Sequence, residues 1–80
     1  MNKSIHSSEY KLLLSWIQNQ RVTKGISARN LSALLDAPHS WISKIESGER
    51  RLDILEYLAI CQTLDIDPCD GISYLKQVSS

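Results

Sequence analysis

The sequence lacks the features that mark several large classes of protein. It has no run of about 18 apolar residues, so no segment is predicted to span a membrane. Its N-terminal residues contain no apolar stretch of the length that a secretory signal needs. The only cysteines are Cys61 and Cys69, too few for a disulfide framework and without the spacing of metal ligands. These absences predict a soluble, cytoplasmic protein that binds no metal.

Motifs of catalysis are also missing. The sequence contains no Gly-rich phosphate loop and neither HExxH nor GxSxG. His39 has no cysteine or carboxylate at a meaningful spacing, and His6 lies near the N-terminus. We therefore predict that the protein is not an enzyme and carries no cofactor. Both cysteines are expected to serve packing, with a redox switch as the alternative.

The formal net charge is zero, but the charges are unevenly distributed. Residues 21–51 hold six basic and three acidic side chains, whereas residues 52–80 hold one basic and five acidic side chains. The centre of the chain is thus basic and its C-terminal part acidic. Long-range attraction to nucleic acid should be weak, but a local basic face is possible.

Apolar residues recur with a period close to 3.6, which predicts an all-α fold. We expect five helices, which form one domain over residues 8–78 after a flexible leader at residues 1–7. The first, third and fifth helices should cover about residues 8–23, 38–47 and 68–78. The second should run from Ser27 to just before Asp36, and the fourth from just after Asp53 to the break at "DIDP". The residues expected on their apolar faces are Tyr10, Leu13, Leu14, Ile17, Leu31, Leu34, Leu35, Leu55, Leu58, Cys61, Leu64, Ile72, Leu75 and Val78.

Local signals mark the ends of these helices. Ser27 and Asp53 are good N-caps, and Pro38 suits the first turn of the third helix. Gly48 can take the left-handed conformation after that helix. The second and third helices are joined by only a few residues around "DAP", which is the outline of a helix-turn-helix. The turn needs a positive φ, which Asp36 tolerates.

Residues 26–68, and above all "WISKIESGERRLD", resemble the lambda-repressor/Cro-like helix-turn-helix family, known as the XRE family of transcriptional regulators. With the first helix ending in "QRVTKG", the resemblance extends over about residues 10–70. It implies a compact five-helix domain in which the third helix enters the major groove of double-stranded DNA.

The resemblance also implies roles for single residues. The base-reading positions of the third helix correspond to His39, Ser40, Ser43 and Lys44, while Ile42 and Ile45 fall at core positions and Trp41 at a partly buried one. The positions that contact phosphate correspond to Ser27, Ala28, Ser47, Arg50 and Arg51. Lys24 or Arg29 is expected to compensate for the side-chain contact that is lost at Ala28. Ala28 and His39 stand where the family often has glutamine, so the DNA sequence that is read cannot be carried over. For Arg50 and Arg51 the alternative is a pair of solvated charges.

Two further expectations concern assembly. The resemblance places an ion pair between Arg21 and Glu46, which would hold the third helix against the first. One such helix covers few base pairs, so we expect a homodimer on a palindromic operator. Its interface should lie on the last helix and include Ile72, Tyr74, Leu75 and Val78, whose alternative role is to close the core of the monomer.

The sequence thus predicts a sequence-specific transcriptional regulator. The alternative is an antitoxin-like or adaptor module that holds a toxin or another protein and that can also bind DNA. The basic loop and the exposed Ser40, Ser43 and Lys44 favour DNA.

Overall fold

The computed structural model describes residues 8–78, with side chains described as far as residue 77. Over this range the chain forms five helices and no strand, which confirms the predicted all-α fold. The helices are α1 (Ser8–Thr23), α2 (Ala28–Leu34), α3 (Trp41–Glu46), α4 (Ile54–Leu64) and α5 (Pro68–Val78). None of them has both the length and the apolar character needed to cross a bilayer. The predicted leader lies outside the described residues.

Both predicted N-caps are confirmed. The Ser27 hydroxyl accepts a hydrogen bond from the backbone N–H of Asn30 at 3.0 Å. The Asp53 carboxylate accepts one from the N–H of Glu56 at 2.8 Å, and the Glu56 carboxylate accepts one from the N–H of Asp53 at 3.0 Å. Asp53 and Glu56 therefore form a reciprocal capping box, which satisfies two N–H groups at the start of α4.

Four helices are followed by a residue of positive φ. These residues are Gly25 (φ 73°), Asp36 (φ 57°), Gly48 (φ 82°) and Asp65 (φ 56°), after α1, α2, α3 and α4. After α2, the N–H of Asp36 bonds to the carbonyl of Ala33 at 3.0 Å and the N–H of Ala37 to that of Ser32 at 2.9 Å. This pair of bonds is the Schellman motif. It reverses the chain between α2 and α3, as predicted from Asp36.

The predicted start of α3 is wrong. The helix begins at Trp41, not at Pro38, and ends at Glu46. Residues 38–40 form a single turn in which the N–H of Trp41 bonds to the carbonyl of Pro38 at 2.9 Å. Ser40 stands at the N-cap of α3, but its side chain makes no capping bond. The α-helix is thus only six residues long.

Two leucines predicted to be buried are exposed. Leu34 is 64% exposed and Leu55 72% exposed. On α2 the buried face is centred between Leu31 and Ser32, and Leu34 points about 110° away from it at 100° per residue. On α4 the inward row is Tyr57, Ile60, Cys61 and Leu64, with spacing i, i+3, i+4, i+7, and Leu55 lies on the opposite side.

The core lies between helices α1 to α4. Its fully buried apolar side chains are Ile17, Leu31, Ile42, Ile45, Ile60, Cys61 and Leu64. Burial raises the pKa of the Cys61 thiol, which agrees with a packing role.

Helix α5 is held against α1 and α4 through Gly71. A Cβ atom at this position would lie 2.8 Å from the Trp16 ring and closer still to the Tyr57 hydroxyl. That hydroxyl donates a hydrogen bond to the Pro68 carbonyl at the start of α5. Burial raises the pKa of Tyr57, so the phenol remains protonated and can make this bond. Gly71 is needed because α5 approaches two aromatic rings closely.

Candidate functional site

The outer surface of α3 carries the residues predicted to read bases. Ile42 and Ile45 are each 1% exposed and anchor the helix in the core. His39, Ser40, Ser43 and Lys44 are all exposed. Ser40 and Lys44 are four residues apart and so project from one side of the helix. The structure thus brings a histidine, two serines and a lysine onto one exposed surface, which offers hydrogen-bond donors and one positive charge.

The orientation of α3 is fixed from α2 by Ser32, a residue that the sequence did not single out. Ser32 is fully buried. Its hydroxyl accepts a hydrogen bond from the N–H of Ile42 at 3.0 Å and donates one to the carbonyl of Ala28 at 2.9 Å. The N–H of Ile42 is one of those at the start of α3 that have no partner within the helix. Ser32 therefore supplies the capping bond that Ser40 does not make.

The Arg21 and Glu46 side chains are in direct contact, as the family resemblance implies. Arg21 Nε and Nη2 donate to the two carboxylate oxygens of Glu46 at 2.7 and 2.9 Å. Arg21 Nη1 also donates to the carbonyl of Ile26 at 2.8 Å. The two side chains are 11% and 7% exposed. The hydrogen bonds with Glu46 raise the pKa of Arg21, so the pair links the end of α1 to the end of α3 in its charged form.

The predicted phosphate contacts around α2 lie at its N-terminal end. Arg29 is exposed, Ala28 is half-buried and the Ser27 hydroxyl is engaged as the cap. Lys24 Nζ lies 3.5 Å from the carbonyl of Asp65, on the surface. Arg29 and Lys24 are therefore the cations on this side of the helix-turn-helix.

The loop after α3 holds two arginines in different environments. The Arg51 side chain is exposed. Arg50 instead forms an ion pair with Glu56 at 3.1 Å, and its guanidinium lies over the Trp41 ring, 5.4 Å from the ring centroid. The side chain of Ser47 donates to the carbonyl of Lys44 at 3.1 Å. Both arginines are exposed, but the Arg50 side chain, 43% exposed, has partners within the protein.

The far end of this loop is tied to α1. Tyr10 accepts a hydrogen bond through its hydroxyl from the N–H of Leu52 at 2.9 Å. With the Asp53 capping box, this bond fixes the loop just after Arg51. Sequence patterns could not have revealed it, because the two residues are 42 positions apart.

The residues predicted for a dimer interface are only partly available. Ile72 is 45% exposed, whereas Tyr74 and Leu75 are half-buried within the monomer, and the side chain of Val78 lies outside the described residues. Beside Ile72 runs a largely apolar groove, whose walls include Tyr10, Leu13, Leu52 and Ile54. Ile54 and Leu55 are 63% and 72% exposed, so the apolar surface extends from α5 onto the first turn of α4.

The chain is similar to a solved protein structure over its whole domain. A solved structure of an XRE-family like protein from Pseudomonas syringae pv. tomato str. DC3000 superposes with a TM-score of 0.86 and 36% sequence identity. The alignment covers 95% of this chain and 93% of that chain, so the similarity extends over the whole domain. No protein-family model and no curated protein matches the sequence.

Proposed function

Because this chain belongs to the XRE family, a family of DNA-binding regulators, we propose that it is a sequence-specific transcriptional regulator that binds double-stranded DNA. The observation that carries the proposal is the construction of α3. Two buried isoleucines hold the helix in the core, while Ser40, Ser43 and Lys44 remain exposed on it. The fold is one of regulators, not typically of enzymes.

In this proposal α3 docks in the major groove with its N-terminal end foremost. Lys44 can then donate to O6 and N7 of guanine, and Ser40 to a base or a phosphate. His39 lies at the tip, where it can donate to guanine N7 or to phosphate. Arg51 lies beyond Gly48, outside the line of the helix, and should meet phosphate, which carries no direct sequence information. Lys24 and Arg29 are the corresponding cations on the α2 side.

Replacing Lys44 and Arg51 in turn should separate base reading from phosphate binding. Lys44→Ala should relax the preference at one or two base positions by about 1–3 kcal/mol. Arg51→Ala should weaken binding to all sequences alike and reduce the slope of log affinity against log salt concentration by about one. Both effects can be measured with a randomised duplex library at two salt concentrations. The docking is wrong if Lys44→Ala leaves base preference intact while Arg51→Ala changes it.

We further propose that the protein binds its operator as a homodimer. The supporting observation is the apolar surface formed by Ile54, Leu55 and Ile72, which are between 45% and 72% exposed. Tyr74, Leu75 and Val78 would contribute from the remainder of α5. A two-fold dimer would place two copies of α3 about 34 Å apart, one turn of DNA, and double the number of bases read.

Leu55→Glu should weaken this dimer, because it places a charge in the apolar interface. Glutamate is tolerated in the first turn of a helix, so α4 should remain folded. Val22→Glu is the matched control, since Val22 is 60% exposed and lies on α1, outside α4 and α5. Sedimentation equilibrium should show a dimer for the wild type and the control and a monomer for Leu55→Glu. A wild-type protein that is monomeric at high micromolar concentration and binds a palindromic duplex one to one would contradict the dimer.

A further inference from the structure

The Arg50 guanidinium connects three parts of the molecule. Its Nη1 and Nη2 atoms meet the two carboxylate oxygens of Glu56 at 3.2 and 3.1 Å. Nη1 also donates to the carbonyl of Arg51 at 3.0 Å, and the guanidinium carbon lies over the Trp41 ring, 5.4 Å from its centroid. Arg50 thus contacts the first residue of α3, its own loop and the capping box of α4.

Each of these partners is itself held in place. Glu56 accepts a hydrogen bond from the N–H of Asp53, so its carboxylate is fixed before Arg50 binds it. Trp41 is half-buried and packs against the core. A planar guanidinium that pairs with a carboxylate through two bonds and also lies over an aromatic ring has a defined orientation, which a lysine cannot reproduce.

The position of Trp41 connects this contact to the residues that are proposed to read bases. Trp41 directly follows His39 and Ser40, the residues at the tip of α3. Their direction in the groove depends on how the start of α3 is held relative to the loop that carries Arg51. The negative charge of Glu56 offsets the positive charge of Arg50, so phosphate should be attracted less strongly to Arg50 than to Arg51.

We propose that Arg50 is a positioning residue for base reading, and that Arg51 alone of the two arginines contacts phosphate. The Arg50 side chain clamps the start of α3 to the loop and to α4, so that His39 and Ser40 meet the groove at a fixed angle. This inference rests on the proposed function and deepens it.

The test begins with a duplex selected by the wild-type protein from a randomised library, and a scrambled duplex of the same composition. The measured quantity is the discrimination ratio, the affinity for the selected duplex divided by that for the scrambled one. Arg50→Lys keeps the charge but loses the planar contacts, so it should lower the ratio roughly tenfold, equivalent to about 1.4 kcal/mol. Its affinity for the scrambled duplex should be unchanged. The matched control is Arg51→Lys, which should preserve the ratio because lysine also binds phosphate.

Glu56→Gln tests the same contact by changing the partner of Arg50. Glutamine can still accept the hydrogen bond from the N–H of Asp53, so the cap of α4 is retained, and a melting curve checks folding. If Arg50 positions the start of α3, Glu56→Gln should lower the discrimination ratio, as Arg50→Lys should. If Arg50 instead binds phosphate, removal of the competing carboxylate should tighten binding to both duplexes and leave the ratio unchanged.

The possible outcomes separate the two proposals. Lower ratios for both Arg50→Lys and Glu56→Gln support the clamp. An unchanged ratio for either variant, with a wild type that selects a sequence, overturns the clamp but not the proposed function. A wild type that selects no sequence from the library overturns the proposed function and, with it, the role of Arg50 in base reading.

Discussion

Glu46→Ala should lower the free energy of unfolding by about 3–5 kcal/mol, because it leaves the buried charge of Arg21 without its carboxylate. Arg21 would retain only the hydrogen bond from Nη1 to the carbonyl of Ile26. Small domains are stable by only about 5–15 kcal/mol, so this single change removes a large share. For a chain of this size the melting temperature should fall by more than about 10 °C. Urea unfolding followed by circular dichroism measures the effect.

Two controls show where this loss comes from. Glu49→Ala removes an exposed carboxylate three residues further on, and should change stability by less than about 0.5 kcal/mol. The double variant Arg21→Met with Glu46→Leu replaces both charges by apolar side chains and should recover most of the loss. A Glu46→Ala protein as stable as the wild type would show that the contact between α1 and α3 contributes nothing to folding.

Ser32→Ala removes only one oxygen atom, but it should lower the free energy of unfolding by about 1–3 kcal/mol. The reason is that the N–H of Ile42 would be left buried without a hydrogen-bond partner. The amide of Ile42 should then exchange with deuterium faster than in the wild type, and its neighbours in α3 should follow because their first turn is loosened.

Ser43→Ala provides the matched control for Ser32. The Ser43 hydroxyl also donates to a carbonyl, that of Ser40 at 3.0 Å, but on the surface, where water can replace it. Its removal should change stability by less than about 0.5 kcal/mol. Unchanged exchange at Ile42 in Ser32→Ala would mean that the bond between α2 and α3 does not hold the start of α3.

The sequence predicts those parts of the structure whose chemistry is local. Ser27 and Asp53 cap the helices that they precede, and Asp36 and Gly48 take the positive φ expected of them, because each depends on neighbours within a few residues. The spacing of apolar residues alone does not determine which face of a helix is buried. On α4, the predicted row that begins at Leu55 shares Cys61 and Leu64 with the buried row that begins at Tyr57. The prediction that Leu55 is buried is wrong, because only the row from Tyr57 keeps to one face of the helix.

Contacts between distant residues could not be read from patterns. The bond from Ser32 to Ile42 crosses a turn whose shape is known only after folding. The contact of Arg50 with the Trp41 ring depends on where the loop after Gly48 returns to the helix. Arg21 and Glu46 are 25 residues apart, and only the family resemblance brought them together. Which of the exposed residues touch DNA remains a prediction.

The shortness of α3 has a consequence for how the protein responds to mutation. Six residues are too few to form a helix alone in water, so the surface of Ser40, Ser43 and Lys44 exists only in the folded molecule. Under the proposed function, the concentration of protein able to bind DNA is therefore the total protein concentration multiplied by the folded fraction. A substitution far from α3 will leave operator occupancy almost unchanged until unfolded molecules become common, and will then reduce it steeply. Bound operator opposes that loss, because it stabilises the folded state by mass action.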